Sequence, residues 1–416
     1  MRSRVVLAGA AAVLIATTLT GCATSVDGQA TPASQTLSPG EVDLAALDPG
    51  SYQTTPSPAF GMATGAQIVE YEGQRMAEFV YTPSEIDPEF TDVKNPTSII
   101  RSRANLTNVV GRDAAFVPAN DRLVAGFVTS AGTSQLRLSD PTRGMQLMVV
   151  RYTDSATAAG AARSMFDAMV RQNKSIPVPL AGLATTLAAR TDAGGSAAVP
   201  IAPTLATFTP FKVYVIYAWA SAPAGQEKRS EDTVRTVLAR EPGLLNGFPA
   251  TPTKAQNGGK PVEVAVDQDQ ILLYALPNKD ANAVNGSDRA VYGPRGMAHI
   301  ASSPSTMLST LTAAQSTHNA VWDTTVYRAA TGTGATSIMD GLVNADVQNG
   351  ATKVDSPKGL PIASCVSRDT DTGQENTCFV TVGRYVGEAD DRDPTVVAQK
   401  ISAQYLILTR ADQTAN

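Results

Sequence analysis

Histidine is nearly absent from this chain. Its 416 residues include two, His299 and His318. Neither stands in an H-E-x-x-H motif or any other short ligand spacing, which excludes a sequence-local zinc or iron site. A Ser-His-Asp triad would have only these two residues to draw a base from. Neither a G-x-S-x-G elbow nor an S-x-x-K pair occurs to supply the nucleophile. Aromatic residues are sparse at 6%, so no carbohydrate-stacking groove is advertised. No long basic run exists, and the net charge of -5 gives no electrostatic footprint for a nucleic-acid partner. Charged residues are 17% and hydrophobic ones 43%, which suits a globular chain and is too apolar for general disorder.

One long uncharged segment is present. Arg2 and Arg4 precede a run from Val5 to Thr20 without any charge. This is the n-region and h-region of a secretory signal, too short and too diluted by Gly, Ala and Thr for a spanning helix. It ends in Leu19-Thr20-Gly21-Cys22, which resembles a bacterial lipobox. That resemblance implies a diacylglyceryl group, with further acylation such as palmitate, on Cys22 as the first mature residue. Two acyl chains anchor stably, at about 0.8 kcal/mol per buried CH₂. The expected address is therefore the outer face of the cytoplasmic membrane, in the cell envelope.

Cysteine is otherwise scarce. Cys365 and Cys378 form an even pair in an exported chain, flanked by apolar segments and separated by a polar, turn-rich stretch. They are expected to form a structural disulfide clasping a β-hairpin, worth about 3 kcal/mol for a loop of this size.

The chain divides into a signal peptide (1–21), a flexible Thr/Ser/Pro-rich tether (22–58), a first domain (59–248), a linker (249–261) and a second domain (262–416). The domains read alike. In the first, Met145–Tyr152 is a nearly continuous apolar strand of the kind buried on both faces. A helix follows with Ala162, Phe166 and Met169 on one stripe, then a strand over Phe211–Trp219 and a helix from about Ser230. The second repeats this with a strand over Val321–Arg328, a helix carrying Ile338 and Leu342, a strand over Phe379–Val386 and a helix with Val397, Ile401, Tyr405 and Leu408. Asp121-Arg122-Leu-Val-Ala-Gly126 is matched by Asp288-Arg289-Ala-Val-Tyr-Gly293, an offset near 167 residues. The expected fold is α+β: two duplicated domains with a β-α-β-β-α core, each an antiparallel or mixed sheet with helices on one face.

The remaining motifs take structural readings. Gly332-Thr-Gly334-Ala-Thr-Ser337 looks like a dinucleotide turn but lacks its last glycine, and is read as a capped strand-to-helix turn. Asp390-Asp391-Arg392-Asp393 precedes Pro394 and suits a helix N-terminus; the spacing of an EF-hand is missing. Glu85, Asp87 and Glu89 are read as a solvated loop, and His299, in the apolar phrase "GMAHI", as a structural or surface histidine on a strand. No catalytic, cofactor-binding or metal-ligating residue is assigned.

The lipobox, "LDPGSY", "GQRMAEFVY", "YGPRGMAHI" and "CFVTVGRYV…QKISAQYLIL" together resemble a family of uncharacterised actinobacterial cell-envelope lipoproteins. The domain order also resembles, more loosely, the extracellular sensor domains of mycobacterial membrane kinases. The first likeness implies an envelope location, two-part architecture and no known enzyme chemistry. The function expected is non-enzymatic binding of a small or amphiphilic ligand (a lipid or glycan) or of an envelope protein. The alternatives are an envelope hydrolase with a non-motif site and a purely structural interaction module. A cleft between the domains is a favoured ligand site.

Overall fold

The computed structural model describes residues 38, 40–93, 97–134, 142–195, 200–278 and 289–415; the signal segment, Cys22, most of the tether's first half and Asp288 lie outside them. The first half begins β1 (Met62–Thr64), α1 (Ile68–Ala77), α2 (Pro83–Ile86), β2 (Asp92–Val93), β3 (Ser98–Ile100), α3 (Arg103–Val110) and α4 (Arg112–Ala115). It continues β4 (Leu123–Gly132), β5 (Gly144–Tyr152), α5 (Ser155–Asn173), β6 (Ile176–Val178) and β7 (Leu187–Thr191). A small ribbon of β8 (Gly194–Gly195) and β9 (Pro200–Ile201) precedes β10 (Thr204–Phe211), β11 (Tyr214–Ser221) and α6 (Glu227–Leu245). After β12 (Glu263–Ala265) the second half runs β13 (Ala290–Tyr292), α7 (Pro294–Ala298), α8 (Pro304–Ala313), β14 (Asn319–Val321) and β15 (Thr325–Arg328). It closes with α9 (Gly332–Gln348), β16 (Thr352–Val354), β17 (Ser364–Thr370), β18 (Gly373–Val382), β19 (Tyr385–Asp391) and α10 (Pro394–Leu408).

The fold is α+β, and each half is built on one antiparallel sheet. The orders are β2-β4-β5-β11-β10-β7-β6, with β3 also on β4, and β13-β14-β15-β19-β18-β17-β16. These are one topology written twice. Helices cover both faces of each sheet instead of one. Met145, Leu147 and Val149 of β5 enter a core with α1 and α6, while Met148, Val150 and Tyr152 enter another with α3, α4 and α5. A strand apolar on both faces needs cover on both, since alternate side chains point to opposite sides. In the second half Tyr327 and Phe379 pack towards α8 and α9, and Val326 and Val380 lie in cores on the α10 side.

Helix starts follow local chemistry. Asp154 accepts from the Thr157 amide at 2.7 Å, Thr331 from the Gly334 amide at 3.0 Å, and Asp393 from the Thr395 amide at 2.8 Å. The glycine phrase at 332–337 is thus a capped helix entry, and the acidic run before Pro394 supplies an N-cap. The Cys365–Cys378 disulfide is present and joins directly opposed residues of β17 and β18. The hairpin turns between Thr370 and Gly373, so most of the stretch read as a loop is strand.

Several sequence readings are corrected. Phe211–Trp219 is not one strand, because the chain reverses at Lys212-Val213, where Lys212 takes φ 53°. The second half makes the same reversal at Gly383-Arg384, with Gly383 at φ 58°. A lysine in the left-handed region hid the first turn, since glycine is its usual occupant. Val321–Arg328 is likewise a hairpin, β14 to β15. The Asp-Arg phrase does not mark equivalent places: Gly126 lies on β4 beside β5, whereas Val291 lies on β13, two strands from β15. By topology β13 corresponds to β3, and the constant offset fails because the connections differ in length.

The tether is also shorter than 22–58. The chain from Gly40 onward belongs to one compact unit. Val42 and Leu47 pack against the core under α10, and Tyr52 and Phe60 against its neighbour. The Asp43 amide donates to the Gly359 carbonyl at 2.9 Å and the Ser57 amide to the Leu273 carbonyl at 2.8 Å. Apolar residues spaced along a Pro-rich strap are enough to dock it where a second helix face needs cover.

Candidate functional site

The two halves meet on α7, which carries the phrase "YGPRGMAHI". Glu78, just past α1, points its Oε2 at the start of α7 and accepts from the amides of Arg295 and Gly296, both at 2.9 Å. A Cβ at Gly293 would lie 2.4 Å from that oxygen, so a side chain there would have to push the Glu78 carboxyl aside. The Arg295 guanidinium makes a two-pronged pair with Glu85, Nε to Oε2 at 3.0 Å and Nη2 to Oε1 at 3.1 Å. Its Nη1 donates to the Glu78 carbonyl at 2.9 Å. Such planar pairing is what arginine provides and lysine does not.

His299 caps α7 and is not on a strand. Its ring is buried in the first half. Nε2 lies 2.9 Å from the Val80 carbonyl and Nδ1 3.1 Å from Thr129 Oγ1. A carbonyl only accepts, so Nε2 carries the proton and Nδ1 receives the threonine hydroxyl. Burial holds the imidazole pKa down at about 4. With both nitrogens engaged inside the interface, His299 is a structural residue. Glu85, read as solvated, is the partner of Arg295; Asp87 and Glu89 clasp Arg143.

Glu241 of α6 sits under this junction, fully buried, with Oε2 accepting the Tyr81 amide at 3.1 Å and Oε1 without a partner. Burial raises its pKa from 4.5 to about 8. A carboxyl whose folded pKa is raised contributes most below its unfolded pKa and loses that contribution as pH rises through the folded value. The wild type is therefore expected to lose stability relative to Glu241→Gln between about pH 4.5 and about pH 8. Urea unfolding of both at pH 5 and pH 8 measures it; a difference between the two proteins that does not change with pH would refute the assignment.

Beside the junction lies a cleft of about 510 Å³ between the halves, within the roughly 300–1,000 Å³ range of small-molecule sites. Phe79, Val291 and Leu308 give it apolar wall, Arg75 and Glu78 give it charge, and His318 adds an imidazole. Each charged group is already engaged. Arg75 holds Glu72 at 3.1 Å, Thr251 Oγ1 at 2.8 Å and the Pro249 carbonyl at 2.6 Å. His318 contacts Asp269, which also takes Arg328 at 3.3 Å. Burial lowers the His318 pKa.

Behind α1 a second cavity, about 520 Å³, is roofed by Thr251–Lys254 and Pro261 of the inter-half connection. Its floor holds Arg151 and Glu72, paired at 2.6 Å. A third, about 200 Å³, contains Glu388 and Asp346. Glu388 accepts from the Tyr327 hydroxyl at 2.5 Å, and burial lifts its pKa to about 7. Among the described residues no group of three or more His, Cys, Asp or Glu is placed to hold a metal ion.

Arg151, Glu72, Glu78 and Arg295 were not singled out in the sequence. The available signal was a lone arginine ending an apolar strand, in "LMVVRY" and again in "TTVYR". Both are buried and both pair with a carboxylate from an earlier segment of their own half, Arg151 with Glu72 and Arg328 with Asp269.

These features define a two-domain α+β protein whose halves share one topology and are locked together beside an open cleft. The chain belongs to the DUF7373 family, domains of unknown function. The N-terminal DUF7373 domain matches residues 60–261 and the C-terminal one residues 267–411. No curated protein matches the chain. Among solved structures, the extracellular domain of PknH from Mycobacterium tuberculosis is similar at 12% identity and a TM-score of 0.23, over 40% of this chain and 97% of that domain. No helix among the described residues is long and apolar enough to cross a membrane.

Proposed function

We propose that this is an exported envelope protein, anchored by lipid on Cys22 to the outer face of the cytoplasmic membrane, that binds a small or amphiphilic ligand without transforming it. The observation that carries the binding reading is the state of the cleft's ionisable groups. Glu78 Oε2 is spent on two backbone amides and Arg75 on three partners. General acid–base catalysis needs a group within reach of substrate and free to exchange its proton. Here the charges hold the walls in place, which suits recognition.

Native mass spectrometry of the delipidated protein from its own envelope tests this, with a reproducible bound mass expected. A clean apo mass would count against it. The anchor has its own test: Cys22→Ala is expected to escape lipid-dependent processing and lose globomycin sensitivity. A mutant processed like the wild type and equally membrane-bound would sink it.

The envelope-hydrolase reading has one observation in its favour, the Glu388–Tyr327 pair beside Asp346 in a cavity, with a pKa near neutrality. It requires Glu388→Gln to abolish a hydrolytic activity that the wild type displays.

A further inference from the structure

We infer that the cavity behind α1 is a site for an anionic amphiphile, its head group on Arg151 and its chain along the apolar wall. This deepens the binding reading above and rests on it.

Arg151 occupies a position where the strand otherwise buries hydrophobes, because it shares a face with Met145, Leu147 and Val149 of β5. Its side chain is 4% exposed. Of five guanidinium donors, Nη1 is used on Glu72 and Nε has no partner. Leaving buried donors of a cation unmade is costly, so a group that would complete them is favoured.

The local charge balance is positive. Glu72 is fully enclosed and accepts from Arg75, from Arg151 and from the amide and hydroxyl of Thr251. One carboxylate thus serves two guanidinium groups. Lys254 adds a third cation at the rim. Above this floor the wall is apolar, formed by Ala66, Ile68, Val69, Val124 and Val262. Its 520 Å³ suffices for a small-molecule ligand. Arg328 holds the equivalent place in the second half but is fully enclosed. A cationic floor with hydrocarbon-compatible walls matches one chemistry, an acyl chain ending in an anion.

The test uses the full mature chain, delipidated, with calorimetric titration of laurate and of lauroyl lysophosphatidate against neutral 1-dodecanol. These two anions separate a carboxylate head from a phosphate head. At least one is expected to bind, and 1-dodecanol at least tenfold more weakly. Val69→Trp fills the wall and Lys254→Glu reverses the rim charge, both leaving the Arg151–Glu72 pair intact. The expected losses are at least tenfold and at least threefold, with unchanged circular dichroism. Equal binding of the alcohol, no binding of either anion, or wild-type affinity in both variants would overturn the assignment. If an envelope ligand stays bound in native mass spectra of Val69→Trp, the site is wrong while the binding function stands. A wild type that carries no ligand at all removes the broader reading.

Discussion

Arg295→Ala is expected to destabilise the folded chain by about 3–5 kcal/mol, the usual consequence of removing one partner from a buried ion pair. Arg295 is 19% exposed and Glu85 17%, so both charges are largely withdrawn from water. Without the guanidinium, both Glu85 oxygens lose their bonds across the interface and the Glu78 carbonyl loses a donor. The Tyr81 ring, with Arg240 at 4.3 Å and Arg295 at 5.4 Å from its centroid, loses one of its two cations. Because the pair joins α2 to α7, separated by 210 positions in sequence, the loss falls on the contact between the halves. Denaturant unfolding with separate probes for the halves checks this: Trp219 reports the first and Trp322 the second. The expected result is a lower midpoint with the two transitions drawing apart. A loss below about 1 kcal/mol would show that the pair is screened like a surface bridge.

Glu72→Ala is expected to cost a similar amount, about 3–5 kcal/mol, for a different reason. The carboxylate is completely enclosed and receives four donors, so its removal strands Arg151 without a counter-charge and frees the start of the inter-half connection at Thr251. The double replacement Glu72→Leu with Arg151→Met is expected to recover most of the loss, because two apolar groups bury without an unpaired charge. If the double variant is less stable than Glu72→Ala, the buried pair contributes net stability and the argument from desolvation fails. Thermal or urea unfolding of the three proteins decides it.

Much of the local structure was legible. The glycine phrase at 332–337 and the acidic run before Pro394 were legible as helix entries because their caps, Thr331 and Asp393, act within three positions of themselves. The strap at 42–58 was misread because composition counts Pro, Ser and Thr, whereas docking depends on three spaced apolar side chains, Val42, Leu47 and Tyr52, finding a groove. The hairpin at Lys212 was missed because the turn conformation is carried by a residue that does not advertise it. The role of His299 was invisible in the sequence, because its partners Val80 and Thr129 lie 219 and 170 residues away.

What the sequence determined by itself is therefore what short-range chemistry sets: periodicity, helix entries, the disulfide pair and the two-part α+β plan. Two-faced apolar strands such as Met145–Tyr152 already demanded cover on both sides. Only the tertiary structure decided which helices supply that cover, that "YGPRGMAHI" is the joint between the halves, and that Arg151 lines a cavity while the Arg328 side chain is fully enclosed. The reason is physical. A buried charge is tolerable only beside a counter-charge, and nothing in the order of residues states that Glu85 will meet Arg295 or that Glu72 will meet Arg151.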